Sequence, residues 1–171
     1  MNKIVWVLFF LVSFAMNSFA GEKIEYFRKA FNGIKDSKTA DAFLNTKVDD
    51  TIKSNVSAIV AYKGVCTMMK AQYVMNPFSK YSYFNQGKKI LAIAIKAGKN
   101  VENIYLRLIV QLNAPAFLGY DKEIKADTEY IKNNLEGSNV PESIKKYILK
   151  NLMKTKKVDS LKALAKKYGV V

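Results

Sequence analysis

Apolar residues recur along most of the chain at intervals of three and four residues, which is the period of an amphipathic α-helix. One such run contains Ile24, Phe27, Phe31 and Ile34, and Gly33 near its end is a stop signal. No segment alternates strictly between apolar and polar residues between turn dipeptides, as paired strands do. The pattern therefore predicts an all-α protein.

About eight helices are predicted, and turn residues separate them. Pro77 disfavours helical geometry at Asn76, so it divides two long helices in the middle of the chain. The segment that begins near Asn55 is apolar on nearly every side, which predicts a central, buried helix. The predicted helices cover about residues 24–34, 39–46, 55–75, 78–97, 101–112, 121–135, 142–154 and 158–168.

The first twenty residues have the pattern of a secretory signal peptide. Lys3 precedes an apolar run over residues 4–14, and Ser18 and Ala20 are the small residues that a signal peptidase requires. The alternative is a membrane anchor, but the run is shorter than the roughly 20 apolar residues that cross a bilayer. We expect cleavage between Ala20 and Gly21, and a periplasmic or secreted product.

The remaining residues, 21–171, are predicted to form a single helical domain with a Lys-rich amphipathic part at 140–168. Half of the 171 residues are apolar by type, which is enough for a sizeable core. The chain has 28 Lys and Arg against 14 Asp and Glu, for a net charge of +14.

Several kinds of chemistry are excluded by composition. The chain has no His and a single Cys, so it offers no internal disulfide, no His-based triad and no imidazole or thiolate zinc cage. We expect neither a cofactor nor a metal. Cys66 lies among apolar neighbours and is predicted to be a small buried side chain, with a reactive thiol as the alternative.

A stretch in the middle of the chain resembles the tetratricopeptide repeat. The small and bulky positions of one repeat helix B and the following helix A are matched by Gly87, Leu91, Ala94, Tyr105, Leu108 and Leu112. Over about residues 55–135 the chain also resembles a group of exported proteins from Gram-negative bacteria. The segments that carry this second resemblance are 61–64, 76–80, 83–88, 106–108 and 116–120. The resemblance implies stacked helical hairpins, and it implies no activity.

Helical hairpin stacks commonly present a concave surface to a peptide or a protein. By this analogy we expect a noncatalytic interaction module of the cell envelope. The residues predicted to line its partner groove are Tyr83, Arg107, Phe117 and Tyr120. Core packing is the alternative for the aromatic residues, since Tyr81 and Phe84 are three apart and are predicted to share a packed face.

Arg107 lies in an apolar helix, where a guanidinium needs a carboxylate partner or a wet groove. A structural ion pair is one explanation, and the candidate partners are Glu102, Asp121 and Glu123. An Arg that reads a ligand is the other explanation.

The C-terminal part carries the strongest local charge. From Lys145 to Lys167 nine Lys accompany one acid, Asp159, while apolar residues recur at helical spacing. Basic amphipathic helices of this kind bind anionic membrane surfaces, and a lysine-covered helix face exposed to solvent is the alternative. The lysines predicted to contact such a surface are Lys145, Lys146, Lys150, Lys154, Lys156 and Lys157.

Two other function classes receive less support. An enzyme with paired carboxylates would use Glu123 with Asp127, or Asp127 with Glu129, but mixed charges along that helix are typical of an exposed face. Nucleic acid is not expected as a partner, because Arg is scarce and no recognition motif occurs.

Overall fold

A computed structural model describes residues 24–47 and 56–171 of the chain. These residues form eight α-helices and three 3₁₀ segments, and no strand occurs among them, which confirms the predicted all-α class. The α-helices are α1 (24–32), α2 (Ser37–Asn45), α3 (Val56–Met69), α4 (Pro77–Ala97), α5 (Val101–Asn113), α6 (Ile124–Asn134), α7 (Glu142–Leu152) and α8 (Lys162–Lys167). The 3₁₀ segments are Lys70–Tyr73, Ala116–Leu118 and Lys156–Leu161.

The helix starts follow local chemistry that can be read in the sequence. The Asp36 carboxylate accepts a hydrogen bond from the Thr39 backbone N–H at 2.7 Å, and the Thr39 hydroxyl oxygen accepts one from the Asp36 N–H at 3.1 Å. This reciprocal pair is a capping box. The side chain of Asn100 caps α5 in a similar way, accepting from the Asn103 N–H at 2.9 Å. Pro77 occupies the first position of α4, where its missing N–H costs nothing.

The last predicted helix, at 158–168, differs from the observed structure. Its first part is the 3₁₀ segment Lys156–Leu161, in which Val158 has non-helical backbone angles of φ −125° and ψ 35°. The Val158 side chain is nevertheless buried, as is Leu161. Periodicity alone does not separate the two helix types, because both bring residues three apart to the same side.

The chain divides into two compact units, the first ending at Ile90 and the second covering Leu91–Val171. In the first unit, α2 packs on α3. Aromatic residues form much of its core, with Phe27 edge-to-face on Phe43 at 5.9 Å between ring centroids and Phe31 against Tyr62 at 4.9 Å. The buried Cys66 thiol faces the Ala40 carbonyl oxygen at 3.6 Å, so the predicted burial of this cysteine is confirmed.

In the second unit, α5 packs side by side with α6, and α7 packs with α8. Its core consists of branched aliphatic side chains that are fully buried, among them Leu91, Ile104, Leu108, Ile131, Leu135, Ile148, Leu149, Leu152 and Leu161. The positions Leu91, Ala94 and Leu108, which match the tetratricopeptide pattern in sequence, are buried.

Two of the sequence predictions are not decided by these helices. The signal peptide and its cleavage site at Ala20 and Gly21 lie outside the described residues, and the single domain over 21–171 stays a prediction. Within the described ranges, none of the helices combines the length and the apolar character that a membrane span requires.

Candidate functional site

The four residues predicted to line a partner groove are divided between the two units. Tyr83 belongs to the first unit, and Arg107, Phe117 and Tyr120 belong to the second. In the first unit, the Lys70 ammonium lies 4.9 Å from the centroid of the Tyr83 ring and 2.5 Å from a carboxylate oxygen of Asp41. The hydrogen bond to Asp41 raises the pKa of Lys70. Tyr83 thus packs beside an internal ion pair.

Arg107 makes a bidentate ion pair with Asp127. Its Nε donates to Oδ2 of Asp127 at 2.8 Å, and its Nη2 donates to Oδ1 at 2.6 Å. The predicted partners of Arg107 were Glu102, Asp121 and Glu123, and that prediction was wrong about which carboxylate pairs with it. The physical reason is the packing of α5 on α6, which brings Asp127 to the guanidinium, whereas Asp121 and Glu123 precede α6. Glu102 lies on α5 itself, five residues before Arg107, and so is not on the same side of the helix.

A third residue completes the arrangement around Asp127. Gln111, one turn after Arg107 on α5, donates from Nε2 to Oδ2 of Asp127 at 2.8 Å. The side-chain oxygen Oε1 of Gln111 accepts a hydrogen bond from the Glu123 backbone N–H at 3.0 Å, next to the start of α6. Asp127 is 1% exposed, so its carboxylate is satisfied by three hydrogen bonds from the side chains of Arg107 and Gln111 and not by water. We call Arg107, Gln111 and Asp127 the buried polar triad.

The surroundings of Arg107 keep its guanidinium charged. The hydrogen bond to Asp127 raises the pKa of Arg107, and so strengthens a charge that is already present at every physiological pH. Burial raises the pKa of the nearby Tyr120 to about 12, although the charge of Arg107 partly opposes this shift. The Tyr120 hydroxyl therefore keeps its proton at neutral pH. The Arg107 side chain is 21% exposed and retains some contact with solvent.

Phe117 is the most exposed of the predicted groove residues. It lies in the 3₁₀ segment Ala116–Leu118 between α5 and α6, and 86% of its surface is accessible. Gly119 follows with φ 57°, a left-handed conformation that glycine adopts without strain. This turn separates exposed Phe117 from half-buried Tyr120. The second unit therefore presents an exposed aromatic ring three residues before Tyr120.

Each predicted catalytic carboxylate pair includes Asp127. This residue is buried and bonded to Arg107 and Gln111, whereas the side chain of Glu129 is 54% exposed beside Lys132. Glu123 is also exposed. In both pairs, therefore, the Asp127 carboxylate is already engaged by Arg107 and Gln111.

The predicted surface lysines have different environments. Lys145 is only 9% exposed, and its Nζ donates to the Glu136 carbonyl oxygen at 2.7 Å, just beyond the end of α6. It therefore belongs to the packing of the second unit and not to an outer face. By contrast, Lys146, Lys150, Lys154 and Lys157 are exposed. The side chain of Lys156 lies outside the described part of the structure.

The role of Asp127 was missed by sequence reasoning, although the pattern contains a signal for it. Ile124 precedes Asp127 by three residues and Ile131 follows it by four, so all three lie on one side of α6. Ile131 is fully buried. An acid on the apolar side of one helix is the natural partner for an Arg in another apolar helix.

Comparison with models of known protein families, with curated proteins and with solved structures finds no match to this chain.

Proposed function

We propose that this protein is a noncatalytic interaction module of the cell envelope, and that exposed lysines of its C-terminal helices attach it to anionic surfaces there. The signal-peptide pattern of residues 1–20 supports a periplasmic or secreted location. The high net charge of +14 supports an anionic partner.

The observation that carries this proposal is a run of exposed lysines on α7 and just beyond its end. Lys146 and Lys150 are one turn apart on one side of α7, and Lys154 and Lys157 follow in the turn and the 3₁₀ segment after it. The opposite side of α7 is buried in the core of the second unit, with Ile148, Leu149 and Leu152 all inaccessible. We call Lys146, Lys150, Lys154 and Lys157 the lysine stripe.

Little negative charge opposes the lysine stripe. Between Lys145 and Lys167 the only acid is Asp159, which pairs with Lys162 at 3.2 Å. Lys146 pairs with Glu142 at 2.9 Å, but both side chains are at least half exposed. Such an exposed pair contributes about 0–1 kcal/mol, so an anionic surface can readily replace it. Each lysine near such a surface contributes on the order of 1 kcal/mol.

Cosedimentation with vesicles of phosphatidylglycerol and phosphatidylcholine tests the proposal. We expect binding at low salt and its loss at about 1 M salt, where the Debye length falls to about 3 Å. Changing all four lysines of the stripe to Gln should weaken binding by roughly a hundred-fold or more, at about five-fold per lysine.

A matched control separates the lysine stripe from the total charge. Changing the exposed Lys29, Lys35, Lys38 and Lys47 to Gln alters the net charge by the same amount in the first unit. This control should lose much less affinity than the stripe variant. Equal losses in the two variants, or binding that is insensitive to salt, would contradict a specific role of the lysine stripe.

A second candidate function is the binding of a peptide or protein beside Phe117. The specific observation in its favour is the 86% exposure of this ring, three residues before Tyr120, whose surroundings include the partly exposed guanidinium of Arg107. Tetratricopeptide-like stacking of the hairpins is part of this candidate, and the spacing from Gly87 to Leu112 supports it.

Site-specific crosslinking tests the second candidate. A photoreactive residue at position 117 should capture a defined envelope protein, whereas one at Tyr26, which is 59% exposed in the first unit, should not. The same adducts at both positions, or none at 117 in native envelopes, would count against a partner at this site.

A further inference from the structure

Three large apolar side chains are exposed together at the start of α4. Met75 is 93% exposed, Phe78 is 84% exposed and Tyr81 is 62% exposed. Phe78 and Tyr81 are three residues apart in the first turns of α4 and lie on neighbouring positions of one side, while Met75 immediately precedes the turn into the helix. Single exposed apolar residues are ordinary, but a cluster of three indicates a contact surface. We call these residues the α4 tip.

Tyr81 and Phe84 were predicted to share a packed face, and that prediction is wrong. Phe84 is 8% exposed and packs within the first unit, whereas Tyr81 points away from it. The aromatic residues of α4 are thus divided between the core and the α4 tip.

The α4 tip lies in a segment of the chain that has no acidic residue. Between Asp50 and Glu102 the sequence contains no Asp or Glu. The lysines of this segment are Lys53, Lys63, Lys70, Lys80, Lys88, Lys89, Lys96 and Lys99. Lys80 is exposed within the tip itself, and exposed Lys89 follows Phe78 by eleven residues, about three helical turns along the same side. In sequence, therefore, the apolar cluster is flanked by cations alone. The one acid that the described contacts bring toward this part of α4, Asp41, is paired with Lys70.

We propose that the α4 tip inserts into the interface of an anionic lipid bilayer. Aromatic and thioether side chains suit the boundary between headgroups and acyl chains, and lysines beside them can reach the phosphates while their alkyl stems cover apolar surface. The acid-free sequence around the tip complements an anionic membrane and not a basic partner. This inference concerns a different surface from the lysine stripe and does not depend on it.

A tryptophan reporter tests insertion directly. The only Trp of the sequence is Trp6, which lies in the predicted signal peptide, so residues 21–171 contain none. In this processed chain, which includes every described residue, Phe78→Trp introduces a single fluorophore at the tip. On vesicles of phosphatidylglycerol and phosphatidylcholine its emission should shift to shorter wavelength, and lipids brominated on the acyl chains should quench it.

Tyr26→Trp is the control, because Tyr26 is an exposed aromatic residue of the same unit, with 59% of its surface accessible. The Trp at 26 should keep its emission and escape quenching by brominated lipid. A Trp at 78 that stays unquenched overturns the proposal, whether or not the protein binds the vesicles. Equal quenching at 78 and 26, or equal binding to vesicles of phosphatidylcholine alone, overturns it as well.

Polar substitutions provide a second measurement. Changing Met75 and Phe78 together to Ser should weaken partitioning into anionic vesicles by at least about ten-fold, because the variant has two fewer apolar side chains to transfer from water into the membrane interface. Tyr26→Ser should leave this partitioning unchanged, and an equal loss there would refute the tip.

The lysine-stripe variant distinguishes the two proposals. In the lysine-stripe variant, quenching of the Trp at 78 can be lost at low lipid concentration and return at saturating lipid concentration. In that case the tip still inserts. If the variant binds as tightly as the unchanged chain while Trp at 78 is quenched, the lysine stripe fails and the α4 tip stands.

Discussion

Gly87 of α4 lies directly against Gly64 of α3. A Cβ atom built at position 87 would overlap the carbonyl oxygen of Gly64 and would stand 2.7 Å from the backbone nitrogen of Met68, closer than real Cβ atoms approach. Both glycines are buried, and together they let two backbones of the first unit approach where any side chain would hold them apart. The glycine at the small position of the tetratricopeptide-like pattern is therefore required by packing.

Gly87→Ala should destabilise the protein by about 1–3 kcal/mol, because the new methyl group overpacks against backbone that cannot move aside. Helix propensity alone predicts the opposite, a gain of up to about 1 kcal/mol. The free energy of unfolding from urea titration distinguishes the two. Gly137→Ala is the control, since nothing lies within 4 Å of a Cβ there, and it should be nearly neutral. A stabilising Gly87→Ala would contradict the close approach.

Removal of the Asp127 carboxylate should be among the most damaging single changes in the second unit. Asp127→Ala leaves the Arg107 guanidinium partly buried without its partner, and we expect a loss of about 3–5 kcal/mol in the free energy of unfolding. Glu129→Ala removes the exposed pair with Lys132 and should cost less than about 1 kcal/mol. A double-mutant cycle with Arg107→Met isolates the coupling, and a coupling near zero would refute the pair as a stabilising contact.

Two neighbouring aliphatic residues of α4 should respond very differently to truncation. Leu91 is fully buried and Ile93 is 64% exposed. Leu91→Ala should cost about 2–5 kcal/mol through lost burial and a cavity, whereas Ile93→Ala should stay within about 0.5 kcal/mol. Chemical denaturation of both variants checks this. Similar costs at the two positions would mean that the core of the second unit lies elsewhere.

The thiol of Cys66 should make the protein lose stability in alkaline solution. Burial raises the pKa of Cys66 to about 11, from an ordinary value near 9. The folded state then holds a proton that the unfolded state has released, so stability is complete below about pH 9 and falls as the pH rises toward 11. Unfolding curves at pH 8, 9.5 and 10.5 measure this fall. The Cys66→Ala variant should show a smaller fall, and identical pH profiles would contradict the prediction.

Processing of the chain should begin the exported protein at Gly21. Intact mass spectrometry of the product from expressing cells measures this end directly. The processed protein should also lack tryptophan fluorescence, since Trp6 would be removed with residues 1–20. A membrane-bound species that retains Met1 would contradict the prediction.

The sequence by itself determined the helices, because helix formation depends on features that lie close together in the chain. The three- and four-residue spacing of Ile24, Phe27 and Phe31 predicts α1, and Pro77 marks the division before α4. Such signals act over one or two turns, so no tertiary information was needed.

Only the tertiary structure decided which side chains meet and which face the solvent. Arg107 and Asp127 are twenty residues apart, and their pairing depends on the rotation of α5 against α6, which no local spacing encodes. Lys145 and Lys146 are adjacent and chemically identical, yet one bonds the Glu136 carbonyl oxygen and the other faces water. Phe84 and Tyr81 differ in the same way, since Phe84 is buried and Tyr81 is exposed. In each case the helix offers several sides, and the packing of its neighbours selects the one that is buried.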